Sequence, residues 1–284
     1  MIVVTGASGQ LGRLVITSLL ARKVPAAQIV AAVRNPARAA DLAALGVQVR
    51  TADYTQPATL DAAFNGAEQV LLVSSSEVGQ RFPQHKNVID AAKRVGVKLL
   101  AYTSLLRADR SPLGLRDEHF ATEQYLLEVG LPHVVLRNGW YTENYLASIP
   151  PAVQHGAYIG SAGEGRIASA ARADYADAAA VVLTTPDQAG KVYELAGDES
   201  YTLAEFAAEL SRQTGKQIPY INMAEAEFKG ALLGAGLPEP IAALLADSDT
   251  GASKGGLFDD SHTLSRLIGR PTASLAALMQ AALK

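Results

Sequence analysis

Short apolar runs alternate with amphipathic stretches along the first half of the chain. Each run is short enough for a strand buried on both faces, and each amphipathic stretch repeats its apolar residues at helical spacing. Several of these stretches stop at a glycine, which tolerates the left-handed conformation that ends a helix. We predict a doubly wound parallel sheet with strands at 2–4, 28–33, 47–51, 69–73, 97–102 and 133–137, and with intervening helices that include 37–45, 58–65, 84–95 and 117–129.

The rhythm becomes irregular after Asn138. We predict a short helix followed by glycine-rich turns over residues 141–171, and a polar, glycine-rich loop at 249–258. The other segments predict two strands, at 191–195 and 217–221, and helices at 173–184, 203–214, 224–235, from Pro238 onward, 264–268 and 275–283. We therefore predict a first domain over residues 1–140, to which some later segments return, and a smaller lobe over 141–284.

The first strand leads directly into a glycine motif. Gly6, Gly9 and Gly12 follow a G-x-x-G-x-x-G spacing, and an amphipathic helix begins at Leu11. Between a strand and a helix, such glycines permit a tight turn and let backbone N–H groups approach a pyrophosphate. We predict a Rossmann domain that binds a dinucleotide through Gly6, Ala7, Ser8, Gly9, Gln10 and Leu11. The alternative is a glycine-rich turn without a ligand. The spacing resembles that of the short-chain dehydrogenase/reductase superfamily.

The end of the second predicted strand favours one cofactor over the other. An acidic residue there would bind the ribose hydroxyls of NAD(H), but this strand ends in Arg34, Asn35 and Pro36. A guanidinium can hold a 2′-phosphate through forked hydrogen bonds. We therefore predict NADPH (NADP+) as the cofactor and Arg34 as its 2′-phosphate ligand. The alternative is an ordinary solvated arginine.

Polar residues follow the third and fourth predicted strands. Resemblance to the superfamily implies that Asp53, which precedes Tyr54, faces the adenine amino group, although it fits equally a helix cap before Pro57. Ser74, Ser75 and Ser76 follow the fourth strand and are expected to line the ribose and pyrophosphate of the cofactor. A polar loop without a ligand is the alternative for the serines.

The usual acid of this superfamily is missing. Most of its reductases use a Tyr-x-x-x-Lys pair, in which a tyrosine on one helix face passes a proton to a carbonyl oxygen. None of the ten tyrosines has a lysine four residues later, and Leu115 and His119 hold the expected spacing. A quinone depends less on an acid, because its reduced oxygen is a stabilised phenolate. His119 is a candidate catalytic residue, or a partly buried structural histidine.

The segment after the sixth predicted strand is rich in aromatic and amide side chains, which can bind a carboxamide or a quinone. We predict Asn138 and Tyr141 as catalytic residues, with further cofactor contacts from Asn138, Gly139, Trp140, Tyr141, Thr142 and Glu143. The predicted substrate residues are Gln80, Tyr141, Asn144 and Tyr145, and Arg81 and His85 are weaker candidates beside Gln80. The alternative is an aromatic hinge between lobes.

Composition excludes several classes of protein. The net charge of −3 provides no basic surface for direct nucleic-acid binding, and the absence of cysteine excludes disulfides and thiolate chemistry. The histidines lack ligand spacing, so we expect no metal. No targeting segment or membrane-spanning run is apparent, which favours a cytoplasmic protein. We expect a monomer or homodimer whose partner is a small molecule.

Several longer motifs resemble one group of proteins, the NmrA-like atypical reductases of the short-chain superfamily. The motifs lie at 5–12, 33–36, 74–81, 101–106, 138–145 and 252–260. The resemblance implies NADPH binding at the positions given above and two-electron reduction of quinones to hydroquinones. An alternative function is an NADP(H)-binding redox sensor without turnover, and a third is reduction of an enone or azo dye by the same donor.

Overall fold

A computed structural model describes all 284 residues, which form two compact units. The first unit contains Met1–Ala108, Asp117–Asn138 and Arg172–Tyr193, and the second contains Asp109–Arg116, Gly139–Ala171 and Glu194–Lys284. Segments far apart in sequence therefore share a unit.

Nine strands and thirteen α-helices make up the chain. In the first half they are β1 (Ile2–Thr5), α1 (Gln10–Ala21), β2 (Ile29–Val33), α2 (Ala40–Ala44), β3 (Gln48–Thr51), α3 (Pro57–Phe64), β4 (Gln69–Leu72), α4 (Arg81–Arg94), β5 (Leu99–Leu105), α5 (Arg116–Val129) and β6 (His133–Asn138). In the second half they are α6 (Thr142–Leu146), α7 (Ile149–His155), β7 (Tyr158–Gly160), α8 (Arg172–Thr184), β8 (Val192–Leu195), α9 (Leu203–Thr214), β9 (Tyr220–Asn222), α10 (Glu225–Gly234), α11 (Glu239–Ser253), α12 (Thr263–Ile268) and α13 (Leu275–Ala282).

The predicted doubly wound sheet is confirmed. Seven strands lie in the order β3-β2-β1-β4-β5-β6-β8, and the pairs from β3 through β6 are parallel. The order reverses at β1, because the chain builds outward to β3 and then returns to place β4 on the other side of β1. Ligands of such sheets bind in the crevice at this reversal, beyond the carboxyl ends of the strands.

Burial on both faces of the sheet explains the apolar runs in the sequence. The side chains of β2 are all buried, and so are those of β5. Helices α3 and α4 bring Phe64, Val88 and Ile89 against Leu72 and Leu100 in one core cluster. Burying a side chain of this size contributes about 1.5–3 kcal/mol to stability.

The second unit contains a buried aromatic cluster beside a carboxylate. The rings of Tyr158 and Phe206 lie 4.8 Å apart, and Tyr145 also packs on Phe206. Asp249 accepts hydrogen bonds from the Ser161 N–H (3.0 Å) and from the Tyr145 hydroxyl (3.4 Å). Burial raises the pKa of Asp249 to about 6.

Two local predictions were wrong. The loop predicted at 249–258 begins inside a helix, since α11 continues to Ser253 and Asp249 is buried. Its polarity reflects a buried hydrogen-bonded carboxylate rather than exposure to solvent. The glycine-rich stretch before residue 171 contains strand β7, which pairs with β9. None of the helices has the length and apolar character needed to cross a membrane.

The buried carboxylate predicts how stability depends on pH. Asp249 stays protonated in the folded protein up to a pH near 6, whereas its ordinary pKa is 3.8. Its contribution to the free energy of unfolding is therefore fully present below pH 3.8 and lost as the pH rises through 6. We expect Asp249→Asn to stabilise the protein at pH 8 by up to about 3 kcal/mol, at about 1.4 kcal/mol per pKa unit.

Urea denaturation of both proteins between pH 4 and pH 8 measures this difference. The advantage of Asp249→Asn should shrink as the pH falls toward 4. A variant that is less stable than the parent chain at pH 8 contradicts the assignment.

Candidate functional site: a glycine-lined cavity at the sheet reversal

The glycine motif follows β1 and allows α1 to pack directly on the strand end. Gly6 has a φ of +58°, which favours glycine, and its carbonyl oxygen accepts a hydrogen bond from the Gly9 N–H (2.9 Å). A Cβ atom on Gly12 would lie 2.6 Å from the Gly6 carbonyl oxygen and 2.8 Å from the Ala7 Cα. Only glycine fits at position 12 without moving this backbone.

The first turn of α1 has the features of an anion site. Gly9 is the residue before the helix and supplies no side-chain cap, and the first turn has no acidic residue. The N–H groups that a cap would satisfy therefore remain available, together with the positive end of the helix dipole. A phosphate is the ligand that this arrangement favours.

A cavity of about 330 Å³ opens above these glycines. It brings together twelve residues singled out in the sequence: Gly6, Ser8, Gly9, Gln10, Leu11, Gly12, Arg34, Asp53, Tyr54, Ser74, Ser75 and Ser76. It is also lined by Ala32, Arg38, Ala52, Val73, Glu77 and Gln84, which sequence reasoning did not select. Ala7 is buried and does not line the cavity, and neither do Gln80, His119 and Asn138.

Two arginines stand at the β2 side of the cavity. Arg34 is exposed and forms an ion pair with Glu77 (2.9 Å). The sequence did not reveal this contact, because the two residues are 43 positions apart. Arg38 lies in a short 3₁₀ turn after β2, is exposed, and makes no side-chain ion pair. The sequence offered one indication that Arg38 belongs to the site, its position four residues after Arg34.

Asp53 and Tyr54 hold the rim of the cavity near β3. Asp53 accepts hydrogen bonds from the Thr55 N–H (2.9 Å) and hydroxyl (2.8 Å), and the Thr55 N–H lowers the pKa of Asp53. The Tyr54 hydroxyl donates to the Val73 carbonyl (2.8 Å) and contacts the Thr5 hydroxyl. Tyr54 thereby links the ends of β1 and β4. The alternative role as a helix cap was wrong, because α3 has Gln56 at its N-cap position and no side-chain cap, and Asp53 bonds Thr55 instead. The contact of Asp53 with adenine stays a prediction.

The serine loop after β4 is anchored from beneath by buried side chains. The Ser74 N–H donates to Thr103, and the Ser75 N–H donates to His85 Nε2, each at 2.9 Å. A histidine that accepts at Nε2 is neutral, and burial together with the Arg81 charge lowers the pKa of His85 to about 3. His85 therefore positions the loop as a permanent hydrogen-bond acceptor.

A carboxylate of α5 fixes the far end of the same loop. Glu118 accepts hydrogen bonds from the backbone N–H groups of Gly79 (3.0 Å), Arg81 (2.9 Å) and Phe82 (3.3 Å). These are donors at the N-terminus of α4, so Glu118 caps that helix from another element. The Arg81 guanidinium pairs with Glu118 and donates to the Ser75 carbonyl (2.7 Å).

His119 lies on α5 and is buried against β5. Its Nδ1 atom is 2.7 Å from the hydroxyl of Tyr102, and its pKa is well below the ordinary value, chiefly through burial and also through the Arg81 charge. The imidazole is therefore neutral at physiological pH. Sequence reasoning missed Tyr102, although a tyrosine inside a buried strand requires a partner for its hydroxyl.

Asn138 ends β6 and carries an unsatisfied polar atom. The residue is buried, and its side-chain oxygen Oδ1 has no hydrogen-bond partner. A buried amide oxygen without a donor costs free energy of about 1–3 kcal/mol. An external N–H or O–H group would satisfy it.

The predicted residues after Asn138 belong to the second unit. Gly139 donates its N–H to the Leu195 carbonyl (2.7 Å), and Trp140 is buried. Thr142 begins α6 and bonds Ser169 (2.8 Å) through its hydroxyl. The remaining predicted residues differ in exposure: Tyr145 is buried, and half-buried positions are held by Tyr141, Glu143 and Asn144.

No group of three or more histidine, aspartate or glutamate side chains is placed to hold a metal ion.

Comparisons with known proteins agree with this geometry. A family model described as NAD(P)H-binding matches residues 6–186. Over 276 residues the chain is 62% identical to quinone oxidoreductase 2 of Escherichia coli (strain K12), covering 97% of this chain and 96% of that protein.

Solved structures extend the likeness to the whole chain. The crystal structure of NADPH-dependent quinone oxidoreductase from Escherichia coli, complexed with NADPH, aligns over 100% of both chains with a TM-score of 0.98 and 60% identity. That of triphenylmethane reductase from Citrobacter sp., complexed with NADP(H), aligns over 99% of this chain and 100% of that chain, with a TM-score of 0.94 and 39% identity.

The close contact at Gly12 predicts that alanine destabilises the protein at this glycine but not at an unpacked one. Gly12→Ala places a Cβ atom against backbone, so we expect a loss of about 1–3 kcal/mol in the free energy of unfolding. Gly230 provides the matched control, since it lies in α10 with nothing within 4 Å of an added Cβ atom. Gly230→Ala should stabilise the protein by about 0.5–1 kcal/mol through helix propensity. Thermal unfolding measures both changes, and equal effects would contradict the packing argument.

Proposed function

This chain belongs to the NAD(P)H-binding family, and we propose that it catalyses the NADPH-dependent two-electron reduction of quinones to hydroquinones. The observation that carries the proposal is its full-length similarity to a quinone oxidoreductase. The glycine-lined cavity, with Arg34 and Arg38 at its β2 side, supports the same conclusion. The alternative function, an NADP(H)-binding redox sensor, predicts no turnover, so an activity assay distinguishes the two hypotheses.

The residues of the cavity fit NADPH. Backbone N–H groups at the start of α1 can bind the pyrophosphate, and the close packing at Gly12 fixes their direction. Arg34 and Arg38 supply cationic donors where strand β2 ends, which is the position of a ribose phosphate in this type of crevice. The bound cofactor supplies the hydride, and the protein orients the nicotinamide and the quinone and excludes water from them.

Asn138 fits a role in orienting the reacting groups. Its Oδ1 atom is buried and lacks a donor, and a carboxamide N–H or a quinol O–H provides one. The half-buried Tyr141 follows it in sequence and offers an aromatic face. The other roles predicted for Gly139–Tyr145 and Gln80 stay predictions, as do a cytoplasmic location, the monomeric or homodimeric state and the absence of a nucleic-acid partner.

Proton delivery in this proposal requires no ionised acid. The neutral imidazole of His119, whose Nδ1 contacts the Tyr102 hydroxyl, carries a single N–H group and acts only as a hydrogen-bonding group. A hydroquinone oxygen has the basicity of a phenolate, with a pKa near 10, so water can protonate it. An ordinary ketone would leave a far more basic alkoxide, which this site is not equipped to protonate.

Quinone-dependent oxidation of NADPH tests the proposal. We expect rapid loss of the near-ultraviolet band of NADPH with a simple benzoquinone, slower loss with NADH, and one hydroquinone formed per cofactor consumed. A reaction without protein corrects for direct reduction of the quinone. Tight NADPH binding without turnover across several quinones would reject the reductase and support the sensor.

The neutral state of His119 predicts a flat pH profile. Because its pKa lies well below 6.5, kcat should not fall as the pH rises from 6 to 8. We expect His119→Ala and Tyr102→Phe to reduce kcat by less than about tenfold, since a true general acid contributes about 10²–10⁴. Steady-state kinetics of the three proteins across this pH range provide the check. A hundredfold loss in His119→Ala would make His119 the proton donor.

A further inference from the structure

An ion pair crosses the crevice in which a dinucleotide is expected to lie. Arg34 follows β2 and Glu77 belongs to the loop after β4, and these two strands flank β1 on either side. The 2.9 Å contact between Arg34 Nη1 and Glu77 Oε1 therefore bridges the end of β1, above the glycine motif. Both residues line the same cavity.

The carboxylate of Glu77 is held at this place by its own loop. Its second oxygen, Oε2, accepts a hydrogen bond from Gln84 Nε2 (2.7 Å), and its backbone N–H donates to the Ser75 hydroxyl (3.2 Å). Gln84 is itself buried on α4 and contacts the same Ser75 hydroxyl through Oε1. Glu77 thus has a defined partner for each oxygen, unlike a carboxylate that meets an arginine by chance at the surface.

We propose that Glu77 is a specificity-determining residue that competes with the 2′-phosphate of NADPH for Arg34. The proposal rests on the proposed function, since it assigns a second role within the same cofactor site. A guanidinium binds a phosphate or a carboxylate through the same forked donors, so the two anions exclude each other. Glu77 must release Arg34 before the phosphate is bound in that way.

The consequence differs between the two cofactors. NADH has no 2′-phosphate and leaves the Arg34–Glu77 pair in place, so Glu77 does not affect its affinity. NADPH and NADP+ carry the same phosphate, so Glu77 weakens both and accelerates their release. The effect is modest, because Arg34 and Glu77 are 68% and 44% exposed and exposed pairs exchange partners at small cost.

The variant Glu77→Gln tests the competition directly. It keeps the shape and the Gln84 contact site while removing the charge. We expect the Kd for NADPH to fall by about two- to fivefold, as for loss of an exposed ion pair, and the Kd for NADH to stay unchanged. Titration of intrinsic or cofactor fluorescence, without any quinone, measures both constants. In an Arg34→Ala background, Glu77→Gln should have no effect on NADPH.

A matched control separates this effect from a change in net charge. Asp61 forms an exposed pair with Arg94, is also 44% exposed, and does not line the cavity. Asp61→Asn should leave both cofactor affinities unchanged.

The proposal is overturned by an unchanged Kd for NADPH in Glu77→Gln, by an equal gain for NADH, or by a gain that persists without Arg34. Weaker NADPH binding in Glu77→Gln would instead make Glu77 a ligand of the cofactor. Failure to reduce quinones would reject the proposed function alone, since these titrations depend only on binding.

Discussion

The close approach of Gly12 to the Gly6 carbonyl is the constraint on which the nucleotide-binding unit depends. It brings α1 onto the end of β1, so that the first turn of the helix opens toward the sheet reversal. Gly9 at the helix start forgoes a side-chain cap that typically contributes about 1 kcal/mol. The chain therefore leaves the helix N-terminus unsatisfied by its own side chains, which is the condition for binding an anion there.

The opposite wall of the cavity depends on a different principle, in which buried polar groups hold an exposed loop. His85 accepts from the Ser75 N–H, and Glu118 caps the helix that follows the serine loop. Burial keeps His85 neutral, and Glu118 accepts from three backbone N–H groups and from the Arg81 guanidinium. The position of Glu77 across the crevice is a result of this anchoring.

The sequence was sufficient for the sheet and for the strand ends that line the cavity, because strands buried on both faces appear as apolar runs. It was insufficient wherever a residue is defined by a distant partner. Asp249 has the polarity of a loop residue, but it bonds Ser161, 88 positions away, and is buried on the inner face of helix α11. Glu77 and Tyr102 escaped notice for the same reason. Strand β7 has three residues, too few to show a periodic pattern.

The residues of α5 bear on which class of molecule can accept the hydride. Where a reductase of this superfamily would carry a tyrosine and a lysine, this helix carries Leu115 just before its start and His119 within it. His119 is buried and neutral, so it is not a charged acid that could protonate a strongly basic oxygen. The acceptor must then be one whose reduced form needs little help, and a quinone meets that requirement because its ring delocalises the charge. The absence of the usual acid therefore favours acceptors whose reduced oxygen is only weakly basic.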